Sequence, residues 1–127
     1  MDFSNYLANK LISATVRNLS YATPEKVYLA LYKTDPTKDS IGIEVTGASY
    51  TRPEVTFTVP ADGFSQSLEQ ITYAVATTNW GEVGWVGVMD SEEDGNLLYF
   101  TELENAKNIL TGDQLKFKPT EITLTLT

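Results

Sequence analysis

The sequence predicts a mainly β protein, an antiparallel two-sheet β-sandwich of about seven strands preceded by one N-terminal α-helix. Three observations lead there. The apolar period changes from helical to two at Pro24, and the segments that follow are short and rich in β-branched and aromatic residues. Asp-Gly pairs at Asp62–Gly63 and Asp94–Gly95 supply tight turns. No second helical pattern interrupts the strands, which favours antiparallel pairing.

From Asp2 to Asn18 the residues Phe3, Leu7, Leu11 and Ala14 recur at steps of four, four and three, with Tyr6 and Ile12 beside them. Residues 1–18 therefore read as an amphipathic helix. Leu19–Thr23 is the linker, Pro24 ends any helical continuation, and residues 24–127 form the sandwich. Lys26–Lys33 (KVYLALYK) is apolar on both faces, as a central, covered strand should be. Thr34–Ser49 is a loop long enough to be a contact surface. Tyr50–Thr58 sets Val55 and Phe57 on one face, so Arg52 and Glu54 are expected to face solvent or a subunit boundary. Glu69–Ala76 presents Ile71, Tyr73 and Val75 together, and Glu82–Asp90 alternates Val83, Trp85 and Met89 against Val86 and Val88. Leu97–Glu102, Gln114–Lys118 and Glu121–Thr127 complete the set, with Pro119 placing the last two at an edge or corner.

A chain of 127 residues fits one domain with a real core. It has no cysteine, which excludes disulfides, thiolate zinc sites and a cysteine nucleophile. It has no histidine, so the commonest general base, the usual serine triad and most zinc sites are gone. No stretch approaches the roughly 20 apolar residues of a membrane helix, and Met1–Asn18 lacks the continuous apolar run of a targeting segment. The expectation is a soluble chain with no membrane partner. The net charge is −8, and residues 64–127 hold 10 acids against 3 bases. Those bases, Lys107, Lys116 and Lys118, form no phosphate-binding cluster, so nucleic acid is set aside as a partner.

Chemistry on carboxylates alone would need a facing pair across a cleft, and none of the 17 acids is singled out for it. The chain is expected to be no enzyme and to use no cofactor. Asp90-Ser-Glu92-Glu93-Asp94-Gly95 imitates the start of a calcium loop, but the twelfth position falls on Thr101 rather than on an acid. The better reading is an acidic hairpin tip, with no metal. Trp80, Trp85, Tyr73 and Tyr99 invite a sugar-stacking surface, yet aromatics at alternating strand positions belong to a core. Only Trp80, before Gly81 in a turn, is expected to be exposed. Asp35-Pro36-Thr37 is turn chemistry with a secondary reading as a contact loop. Ser20, Ser49 and Ser67 have no partner base and are not proposed as nucleophiles.

Four stretches together resemble a family of small bacteriophage proteins, the tail-fibre-like virion proteins. They are VYLALYKTDPT (Val27–Thr37), IEVTGASYTRPEVTF (Ile43–Phe57), NWGEVGWVGVMD (Asn79–Asp90) and GNLLYFTELENAKNILTGDQLKF (Gly95–Phe117). Their order and spacing fit nearly the whole chain, although the acidic Glu92-Glu93-Asp94 replaces a turn that is small and neutral in that family. The resemblance implies a non-catalytic virion component, made in host cytoplasm and released by lysis, whose partners are other virion proteins and copies of itself. Within that frame a tail or fibre attachment module is favoured over a capsid decoration protein. A receptor domain for host-surface glycan is least favoured. The candidate interaction residues are Phe3, Leu7, Leu11 and Ala14 on the helix, with Asp35 and Trp80 in loops.

Overall fold

The structure, a computed structural model, describes residues 1–126. It contains one helix, α1 (Asn5–Val16), and nine β segments: β1 (Asp2–Phe3), β2 (Val27–Tyr32), β3 (Glu54–Val55), β4 (Phe64–Gln66), β5 (Ile71–Thr72), β6 (Gly81–Met89), β7 (Leu97–Ile109), β8 (Lys116–Phe117) and β9 (Thr123–Thr125). A five-stranded sheet of order β1-β7-β6-β2-β3 is antiparallel throughout. The second layer is not one sheet but two short antiparallel pairs, β4 with β9 and β5 with β8. The expected antiparallel, sandwich-like architecture behind one helix is what forms. Thr127, the end of the expected last strand, lies outside the described residues.

The helix begins later than its apolar spacing predicts. Asp2 and Phe3 are spent on an edge strand, pairing with Phe100 and Tyr99 of β7. Ser4 then adopts extended backbone and caps the helix, its hydroxyl oxygen accepting from Leu7 N at 3.1 Å while donating to Leu97 O. Phe3 therefore leaves the helical stripe and meets Tyr99 edge-on at 5.6 Å. At the other end, Asn18 turns left-handed (φ 55°) and Leu19 N–H reaches back to Ser13 O. That capping geometry, rather than Pro24, stops the helix.

β2 lies inside the sheet, between β6 and the short edge strand β3, and is covered on both faces as its apolar pattern predicts. Leu29 and Leu31 join the larger core with Val45, Val55, Ile71, Tyr73, Trp80, Val86, Val88 and Phe117. Ala30 and Tyr32 join a smaller cluster on the opposite face with Met89, Leu97 and Phe100. Strict alternation fails on β6: Val83 was expected beside Trp85, yet Val83 lies in the larger core and Trp85 packs on the smaller cluster. The cause is a bulge, since Val83 pairs with Lys107 but Trp85 pairs with Glu102, and the surplus residues of β7 are accommodated opposite Gly84. The same bulge lets β7 run to Ile109, well past the expected Glu102. At the Asp62–Gly63 turn both residues take positive φ, 55° and 74°, and Ala61 and Phe64 exchange backbone hydrogen bonds of 3.0 and 2.9 Å. This is the two-residue hairpin turn that an Asp-Gly pair favours.

Candidate functional site

Two surfaces stand out once the fold is assembled: the outer face of α1 and the acidic tip between β6 and β7.

α1 packs on β7 and buries one side chain, Leu7. Leu11 is half-buried and Ala14 exposed, so the expected stripe is used only at its N-terminal end. A different stripe is left open. Ile12 and Val16, four apart on α1, are 59 % and 75 % exposed, and Leu19, just past the turn that ends the helix, is 51 % exposed. Its signal is in the sequence: Ile12 follows Leu11 by one residue, one step round the helix from the Phe3, Leu7, Leu11 and Ala14 stripe, and Val16 lies four further on. The segment 3–24 also contains Lys10 and Arg17 and no acid, while the rest of the chain has 17 acids against 7 bases, a net −10.

At the tip, the run Asp90–Gly95 is held by hydrogen bonds within the protein. Asp90 carboxylate oxygens accept from Asn96 N at 2.7 Å and Asn96 Nδ2 at 3.0 Å. The carbonyl oxygens of Ser91 and Asp94 accept from Arg52 Nη1 at 2.9 and 2.8 Å, so the guanidinium ties the tip to the loop before β3. Arg52 reaches Glu44 with a two-pronged bond, Nε to Oε2 at 2.8 Å and Nη2 to Oε1 at 2.7 Å. Tyr50 donates its hydroxyl to Glu44 Oε2 at 2.6 Å and accepts from Leu31 N at 3.0 Å. The bond to Glu44 raises the Arg52 pKa, and burial, then the same carboxylate, pushes the Tyr50 phenol well above its ordinary range. These groups wall an open cleft of about 410 Å³ together with Glu92, Glu93 and Thr46.

Two expectations are overturned here. Arg52 is 8 % exposed and does not face solvent. The backbone before Glu54 is not regular strand, so counting by twos from Val55 loses its meaning at Pro53. Glu54 does stay at the surface, 3.8 Å from Lys26 Nζ. Trp80 is fully enclosed rather than exposed. Its ring lies edge-on to Tyr50 and Tyr73 at 5.4 and 6.4 Å, and Gly47 lies so close that an added Cβ would come within 2.8 Å of the indole Nε1. That loop contact is long-range, and no local pattern announces it. Nε1 finds no hydrogen-bond partner among the described residues. Asp35 is exposed and holds its own turn, accepting from Thr37 N at 2.9 Å. Phe3, Leu7 and Leu11 thus sit near the helix root, while Asp35 and Trp80 belong to separate places.

No helix among the described residues is long and apolar enough to cross a membrane. No curated protein matches the chain. The family described as "Podophage GP4 fiber I protein gp80" matches residues 2–125. That match covers α1, the five-stranded sheet and both short strand pairs at once, and the chain accordingly belongs to this podophage fibre protein family.

Proposed function

We propose that this chain is a non-enzymatic attachment module of the phage fibre, a rigid β body joined to other virion proteins through α1. The observation that carries this reading is the open apolar patch made by Ile12 and Val16 on α1, a helix that buries only Leu7 of its own residues, and by Leu19 just beyond its C-cap. A helix of 12 residues is marginal alone and takes its stability from a surface to pack on. The tip argues against a catalytic use of its cleft, because Glu44 is committed to Arg52 and Tyr50. A sugar-reading face needs an aromatic ring open to solvent, and the enclosure of Trp80 removes the residue on which that alternative rested.

Removing residues 1–20 would also remove β1 and the Ser4 cap, so the test substitutes the stripe and leaves the root intact. Phage carrying Ile12→Asn, Val16→Asn and Leu19→Asn together are purified and the chain is quantified by mass spectrometry. The expected result is a folded protein missing from the particles. Incorporation at the wild-type level overturns the reading. Wild-type particles with copies matching capsomer number, rather than a few at the tail, would favour capsid decoration instead.

A further inference from the structure

We propose that the open stripe of α1 docks into an apolar groove on a second copy of this chain. This rests on the reading of α1 as the docking element and names its partner. The groove is bounded by Phe57, Pro60, Phe64, Tyr99, Leu124 and Leu126, has a volume of about 320 Å³, and has no charged side chain among its described lining residues. Phe64 and Leu126 are 40 % and 41 % exposed within it. It is the apolar counterpart of the stripe: each leaves aliphatic or aromatic side chains open to water.

Charge decides between the candidate occupants. Residues 3–24 carry Lys10 and Arg17 without an acid, and Arg17 stands between the exposed Val16 and Leu19, so pairing two such patches sets like charges together. The rest of the chain is net −10, and the exposed Asp62 lies in the turn whose neighbours Pro60 and Gly63 line the groove. A cationic, apolar helix and an acidic body with an apolar groove attract each other across copies. Tyr99 is shared: it walls the groove and contacts Phe3 at the root of α1. Helix root and groove are therefore neighbours on one body, and each copy offers both halves of a contact to the next. Such a contact is heterologous unless exchanged reciprocally, and either arrangement builds oligomers.

The absence of cysteine makes the test clean. Val16→Cys and Phe64→Cys are made in separate proteins, one carrying a size tag, then mixed and oxidised. Val16→Cys with Val75→Cys, an exposed residue outside the groove, is the control. The expected result is a mixed disulfide between positions 16 and 64 at least about tenfold over the control, a preference of the size that distinguishes a specific contact from chance collision. Asp62→Lys is expected to reduce that yield severalfold. Equal cross-linking to position 75, preferred pairing of position 16 with itself, or no cross-link together with helix-dependent binding to phosphatidylglycerol vesicles would each overturn the proposal. If the stripe substitutions abolish incorporation into particles while 16–64 cross-linking fails, the attachment reading survives and this inference does not.

Discussion

β2 and α1 are both apolar segments, and they end differently. Four of the six residues of β2 are buried, against one of twelve in α1. The reason lies in the backbone. A strand leaves its N–H and C=O groups to be satisfied by neighbours, and β2 has β6 along one edge and Val55, Glu54 and the Glu44 bridge along the other. Once those neighbours are in place, both faces of β2 are covered. A helix closes its own hydrogen bonds, so it can hold its form with much of its apolar surface unmatched, provided its root is anchored. Here the anchor is Ser4, Leu7 and the short β1 pairing. The lesson is that apolar spacing marks which residues seek cover, while the kind of element decides whether that cover must come from the same chain.

The contrast is easiest to break on the β side, and the largest effect is expected there. Trp80→Ala empties the volume between Tyr50, Tyr73 and Gly47 and should cost about 3–5 kcal/mol in urea unfolding. A loss near 1 kcal/mol would mean that the ring is not enclosed as described.

Next in size is Arg52→Ala, expected to cost about 2–3 kcal/mol. It strands Glu44, which is still about a quarter exposed, and frees the carbonyls of Ser91 and Asp94. Amide exchange over residues 90–96 should rise in the same variant. Unchanged protection there would separate the tip from the Arg52 clamp.

A smaller effect comes from alkaline pH. Burial raises the pKa of Tyr73, and burial with the bond to Glu44 raises that of Tyr50. A phenol whose folded pKa is raised contributes stability that is intact below its unfolded value near 10. That stability is lost as pH rises through and beyond this value, because the unfolded chain releases its proton first. The urea midpoint should therefore be level below pH 9 and fall above about pH 10, with a shallower fall in Tyr50→Phe. A midpoint insensitive to pH up to about 11 would contradict the enclosed position of both rings.

The smallest change is expected on the helix. Ile12→Ser and Val16→Ser should each alter monomer stability by no more than about 0.5 kcal/mol, the range of exposed substitutions. A loss of 2 kcal/mol or more, a size typical of core positions, would place α1 in the core and abolish the comparison.

Much of this was legible in the residues themselves. Alternation and β-branching identified β2, β6 and the start of β7, and Asp62–Gly63 identified a hairpin, because side-chain period and turn chemistry are local properties. Composition alone removed cysteine and histidine chemistry. The candidate site was less legible. Phe3 belongs to a strand because β7 offers an edge nearly a hundred residues away, and no helical period can register that. Val83 changes face through a bulge that depends on how β6 and β7 are paired. Arg52 is buried because Glu44 and two tip carbonyls meet it from separate loops, and Trp80 because Gly47 closes over it. In each case the sequence determined what the residue requires, a partner for a charge or cover for a ring. Which partner meets that requirement was decided only when distant segments were brought together, since hydrogen bonds and van der Waals contacts act over ångströms and not along the chain.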